Sequence, residues 1–160
     1  MSQMTTVEQW VELNQLYAEY SSAVDCGDWD RWVQMFTEDG IYKLVPRENH
    51  ERGFPLATLA FVGKGMLKDR VYGIRETLFH DPYYQRHIVG PLLIRNGSDG
   101  SFNVEANYGV FRTKLSEFTS VYNVGRYLDV VTRTPEGLRF AQRICIYDSE
   151  MIPNSLIYPI

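Results

Sequence analysis

Two hydrophobic periods share this chain, and their order restricts its fold more than any other feature. Near the start, Val7, Trp10, Leu13, Leu16, Tyr17, Tyr20, Ala23 and Val24 recur at steps of three and four, the stripe of an amphipathic helix. In the second half the step becomes two: Phe102, Val104, Ala106, Tyr108 and Val110 alternate with Asn103, Glu105, Asn107 and Gly109. That alternation is the mark of an antiparallel strand with one face buried. Helices followed by a meander of strands predict an α+β fold, mostly antiparallel, with a curled sheet wrapping the N-terminal helices.

Local signals place the elements. Thr5-x-x-Glu8 reads as a capping box, in which hydroxyl and carboxylate satisfy each other's free backbone N–H groups. Gly27 supplies the left-handed stop, and Asp28 caps a short second helix carrying Trp29, Trp32, Val33 and Phe36 before a Glu38-Asp39-Gly40 turn. A strand is expected over 41–45, ended by Pro46, then a polar loop over 47–53. The apolar run 56–62 fits either a strand or the start of a helix. Met66, Leu67, Val71, Ile74 and Leu78 have helical spacing, weakened by Gly65 and Gly73. A turn over 80–84 leads into the apolar run 88–94, and a turn cluster over 96–100 precedes the first long strand. Two more strands, 118–131 and 138–147, are joined by Thr134-Pro135-Glu136-Gly137. At 160 residues a chain buries roughly 70% of its unfolded surface, which suits one domain over 1–160.

Composition removes several function classes. Eleven Tyr, eight Phe and three Trp are too many for a disordered tail. No apolar run approaches the roughly 20 residues of a membrane-spanning helix, and the N-terminus lacks a secretory pattern. A cytoplasmic protein without membrane or nucleic-acid partners is expected, because the net charge is −4 and no basic stripe is present. Twelve Arg stand against four Lys. Arg and aromatics are enriched in protein interfaces and Lys is depleted, although codon bias accounts for the ratio equally well. Cys26 and Cys145 stand alone and read as buried free thiols.

Chemistry-bearing residues are few. No Cys-x-His, H-x-E or E-x-x-H motif occurs, although spacing leaves a scattered site of His50, His80 and His87 open. Nucleophile elbows and phosphate loops are also missing. A sheet curled over helices encloses a conical space, inside which Asp25 with His80 or His87 could form a proton-abstracting dyad, as in a small lyase or isomerase. The alternative is that Asp25 caps or pairs with Arg while the histidines are hydrogen-bonded turn and strand residues. Pro82, Tyr83, Tyr84 and Arg86 suit a contact surface. The ending, with Ile157, Tyr158 and Ile160, is apolar and proline-interrupted; it needs a surface to lie on, either its own sheet or a neighbouring subunit.

Four segments carry a resemblance. They are Val45-Pro46-Arg47-Glu48-Asn49, Asp69-Arg70-Val71-Tyr72-Gly73-Ile74-Arg75-Glu76-Thr77, the stretch 80–90, and 147–155. Together with the helical opening 20–36, they resemble the small (beta) subunits of bacterial aromatic-ring-hydroxylating dioxygenases, nearest the salicylate 5-hydroxylase, anthranilate and terephthalate branch. The chain is shorter at its N-terminus than the naphthalene and biphenyl branches. The resemblance implies an NTF2-like (cystatin-like) cone and a structural subunit without catalytic residues, cofactor or metal of its own. It implies a homotrimer joined to three catalytic alpha subunits (alpha3beta3), which carry a Rieske [2Fe–2S] cluster and a mononuclear iron. Arg70, Arg75, Pro82, Tyr83, Tyr84, Arg86, Ile157, Tyr158 and Ile160 are the expected subunit contacts.

Overall fold

The computed structural model describes residues 5–97, 99–151 and 156–160; part of the expected tail, 152–155, lies outside them. Helix α1 spans Val7–Cys26, and its buried stripe is Leu13, Leu16, Tyr17, Tyr20, Ala23 and Val24. The capping box is present one residue later than the sequence suggested. Thr6, not Thr5, is the N-cap, and Gln9 replaces Glu8 as its reciprocal partner. Thr-x-x-Gln satisfies the same two N–H groups as Thr-x-x-Glu, so adjacent threonines give two plausible registers. Gly27 closes the helix at φ 71°, and the Asp28 side chain caps α2 (Trp29–Gln34).

Seven strands follow: β1 (Phe36–Pro46), β2 (Leu59–Val62), β3 (Tyr83–Val89), β4 (Leu93–Asn96), β5 (Phe102–Lys114), β6 (Ser120–Thr134) and β7 (Gly137–Tyr147). Their order is β2-β1-β7-β6-β5-β3, with β4 also paired to β5. Every neighbouring pair is antiparallel except β1 with β7. The sheet is open. Register shifts at Phe36/Ile41, Val110/Phe111 and Val130/Val131 add local twist, which curls the long strands round α1 and α2.

Three local expectations change. Glu38-Asp39-Gly40 is no turn; it is the bulged part of β1, where strand pairing with β7 outweighs turn propensity. Residues 47–53 contain a one-turn helix, α3 (Arg47–Glu51), steadied by ion pairs from Arg47 to Glu51 and Arg52 to Glu48. Helix α4 (Gly63–Tyr72) runs into a π-helical turn, Gly73–Thr77, where the two glycines had weakened the signal. Among the described residues no helix is long and apolar enough to cross a membrane.

The two cysteines part company. Cys145 is fully buried and Cys26 is exposed at the end of α1, which corrects the expectation of two buried thiols. Burial pushes the Cys145 thiol up, against the pull of Arg143, and suppresses the reactive thiolate. The native chain should therefore take up one equivalent of a thiol reagent, and the second only on unfolding. Rapid uptake of two equivalents by the native chain would contradict this burial.

Candidate functional site

Alternation along β3 points Tyr83, Gln85 and His87 inward and Tyr84, Arg86 and Ile88 outward. Asp25, in the last turn of α1, lies opposite His87. Its carboxylate accepts from His87 Nδ1 at 2.6 Å and from the His87 backbone N–H at 3.0 Å. The His87 side chain is fully buried, and the Asp25 side chain nearly so. Asp25 and His87 thus form the pair that the sequence suggested, with the carboxylate fixing the imidazole's orientation. The Arg86 guanidinium is 4.0 Å from the same carboxylate, so the alternative of an acid paired with Arg is realised as well.

His80 stands apart. Its Nε2 is 2.7 Å from the Tyr158 hydroxyl, and its ring meets Tyr158 edge-on. It anchors the end of the chain instead of joining the dyad.

The inside of the cone is filled. Tyr17, Tyr20, Tyr127 and Phe140 pack edge to face with centroids 5.6–6.5 Å apart. Their faces surround the guanidinium of Arg143, which lies 3.9 Å from the Tyr20 centroid and 4.0 Å from that of Tyr127. Arg143 donates to Asp129 at 2.7 Å from Nη2 and 3.2 Å from Nε, and the Tyr17 hydroxyl donates to the same carboxylate. Both charged side chains have no exposed surface. Burial raises the Asp129 carboxyl from its usual range, with Arg143 and Tyr17 pulling it back. At Arg143 burial opposes the charge, but Asp129 and the surrounding tyrosines outweigh it. The lyase or isomerase reading needed ligand-sized space inside the cone beside the dyad. Rings, an ion pair and the chain's own end occupy it, so the geometry disfavours that reading.

Ile160 completes the plug. It is fully buried; its backbone N–H donates to the Tyr42 hydroxyl at 2.8 Å and its oxygen accepts from the Tyr20 hydroxyl at 2.7 Å. Arg70 straps the same segment, donating to the carbonyls of Leu156 at 3.1 Å and Ile157 at 2.6 Å. Ile160 therefore packs within its own domain instead of offering its side chain to a neighbour. Arg70 is half-buried in holding this segment, and Tyr83 is buried against Tyr122 and Tyr158. Of the other expected contacts, Arg75 makes a two-pronged pair with Asp30 at the surface. Pro82, Tyr84 and Arg86 are exposed, while Ile157 and Tyr158 are partly covered.

Asp129 and Arg143 escaped the sequence reading. Asp129 sits in the same two-residue phase as inward Tyr127 and Val131, and a charge at such a position calls for a buried partner. Arg143 was harder to find, because the β6–β7 register shift changes the phase of β7 between Phe140 and Gln142. Among the described residues no group of three or more His, Cys, Asp or Glu side chains is arranged to hold a metal.

A cleft of about 300 Å³ lies outside this packed interior, between α1 and the end of β3, with His87 in its lining. The outer face of the sheet is the other prominent surface. Ile88, Gly109 and Val124 align in one row across β3, β5 and β6, and Arg86, Phe111 and Val121 in the next. Tyr84 (78% exposed), Ile88 (57%) and Val121 (65%) make this face apolar and open.

Comparison with known proteins agrees with this architecture. Residues 5–144 match the SnoaL-like domain model. The chain is 35% identical to the anthranilate 1,2-dioxygenase small subunit of Burkholderia cepacia, over 96% of each protein. It is 26% identical to the beta 2 subunit of the terephthalate 1,2-dioxygenase terminal oxygenase component of a Comamonas species, over 94% of this chain and 97% of that one. A crystal structure from Novosphingobium aromaticivorans, the beta subunit assigned to an aromatic-ring-hydroxylating dioxygenase, superposes with a TM-score of 0.86. That match has 31% identity and covers 94% of this chain and 96% of the other. The chain belongs to the SnoaL-like family and, within it, to the small (beta) subunits of aromatic-ring-hydroxylating dioxygenases.

Proposed function

We propose that residues 1–160 act as one NTF2-like domain that is a structural, non-catalytic subunit of a cytoplasmic bacterial ring-hydroxylating oxygenase. The enzyme's substrate is an aromatic compound of the aromatic-acid class, a reading supported by the anthranilate and terephthalate relatives. Similarity over nearly the full length of those small subunits carries this reading. The packed cone supports it: a sheet whose concave side is filled by Arg143, four aromatic rings and Ile160 is built to hold shape. The Rieske cluster and mononuclear iron belong, on this reading, to the catalytic alpha subunit.

The chain forms a homotrimer that joins three alpha subunits. The outer face of β3, β5 and β6 supplies its contacts, with Tyr84 and Arg86 central and Pro82 at the edge. Arg75, Ile157 and Tyr158 contribute a second surface near α4. Large exposed apolar patches on a folded chain mark association surfaces, and an aromatic beside an Arg is the usual energetic centre of one.

Light scattering tests the assembly. The chain should have a mass three times 18.6 kDa, and Ile88→Asp should reduce it to 18.6 kDa with an unchanged circular dichroism spectrum. Arg86→Ala should weaken the trimer less completely. A trimer indifferent to both substitutions would place the interface elsewhere.

A further inference from the structure

Arg112 lacks the counter-charge or acceptor that the other covered arginines have. Among the described residues, Arg143 is paired with Asp129, Arg70 with the carbonyls of Leu156 and Ile157, and Arg139 with that of Leu138. Arg112 is partly buried on β5, and among the described residues it has no carboxylate or carbonyl partner. Aromatic rings hold it instead: its guanidinium lies 4.8 Å from the Tyr122 centroid and 5.8 Å from that of Tyr83. A charge drawn part-way out of water calls for a partner, and a guanidinium stacked on rings keeps its planar fork of N–H donors available for a carboxylate. That fork reaches solvent. The described side-chain atoms sealed in without a partner are Gln85 Oε1, His87 Nε2, the Tyr127 hydroxyl and Arg143 Nη1, and no nitrogen of Arg112 is among them.

The hairpin carrying Arg112 continues into an apolar tip. Leu115 is 93% exposed and Phe118 98%. The tip is braced by the Thr113 and Thr119 hydroxyls, 2.8 Å apart, and by the Lys114–Asp81 ion pair at 3.3 Å. A preformed surface loses little freedom on binding, and an Arg close to exposed aromatic area is the usual centre of a protein contact. An open apolar rim beside one unpaired cation suits an acidic segment of another protein. A second copy of this chain, packed on the outer face of the sheet, would meet Phe111 and Val121. Arg112 turns the other way, to Tyr83 and Tyr122, which leaves the large subunit as the occupant.

We propose that Arg112 receives an Asp or Glu side chain of the catalytic large subunit, with Leu115 and Phe118 packing against the same segment. This rests on the subunit role proposed above.

The full chain, immobilised and titrated with a purified Rieske-type large subunit, provides the test. Arg112→Gln should raise Kd by at least about tenfold, and Arg112→Lys, which keeps the charge and loses the fork, should recover only part of that. Phe118→Ser changes a side chain that touches little of its own domain, and should weaken binding about fivefold or more. Circular dichroism and the mass of the isolated chain should match wild type in all three. Wild-type affinity in Arg112→Gln or in Phe118→Ser overturns the proposal and leaves the subunit role standing, whereas a wild-type chain that binds no large subunit overturns both. A folded Arg112→Gln chain with a reduced assembly mass would assign the acidic partner to another copy of this chain, and overturns the proposal as well.

Discussion

Replacing Arg143 with Ala should destabilise the chain by about 3–5 kcal/mol, the usual consequence of stranding one member of a buried ion pair. For a domain of this size that is a fall in Tm of roughly 6–20 °C, measured at fixed protein concentration because assembly also stabilises. The loss has two sources: Asp129 keeps its buried carboxyl without the guanidinium that compensates it, and four aromatic rings lose the cation between them. Asp129→Ala should be comparably harmful, since it leaves a fully buried guanidinium unpaired. The double variant Asp129→Leu, Arg143→Met removes both charges while keeping volume, and should recover much of the loss. Additive single effects would show that the pair is not coupled.

The pH dependence of Arg143→Ala follows from the same geometry. Burial raises the Asp129 carboxyl above its ordinary value of 3.8, and Arg143 opposes that rise. Without Arg143 the folded-state value moves further up. A carboxyl whose folded value is raised favours folding below its unfolded value, and that contribution is lost as pH rises through the folded one. The deficit of Arg143→Ala relative to wild type should therefore shrink toward pH 4 and widen toward pH 8. A deficit independent of pH would mean that Asp129 does not bear the penalty.

Gly125→Ala is expected to be nearly as costly for a different reason. A Cβ at Gly125 would lie 1.9 Å from the Ile146 carbonyl oxygen and 2.8 Å from its carbon. These are backbone atoms of the paired strand β7, so no rotamer change relieves the clash and the strands must part. A cost of about 3 kcal/mol, at the upper end of ordinary overpacking, is expected. Gly65→Ala is the matched control: nothing lies within 4 Å of its added Cβ, and an interior helical Gly→Ala change gains roughly 0.5–1 kcal/mol. Thermal melts should move in opposite directions. Equal, small shifts would mean that the β6–β7 crossing is looser than its register indicates.

These sites also show what was legible in the sequence. The period of two over 102–110 fixed a strand and its inward residues, because a sheet with one buried face leaves no freedom of phase. The stripe of α1 and the Gly27 stop were equally plain. Phase became unreadable where bulges intervene: the β1 bulge looked like a turn, and the β6–β7 register shift concealed Arg143. Asp25 and His87 are separated by 62 positions, and no local pattern encodes their meeting. It arises because β3 returns to pair with β5 beneath the end of α1. Nothing in the apolar ending said whether its host was its own domain; the hydroxyls of Tyr20 and Tyr42 and the strap of Arg70 decide that.

On the function proposed above, this chain gives shape to an oxygenase whose iron resides on a partner. Co-expression with a Rieske-type large subunit, purification through a tag on this chain, and iron analysis of the complex and of the isolated chain test it most directly. Equal amounts of both chains in one complex, iron present with the large subunit, and an iron-free trimer when this chain is purified alone are expected. An isolated chain that binds stoichiometric iron, or one that stays monomeric and recovers no large subunit, would contradict it.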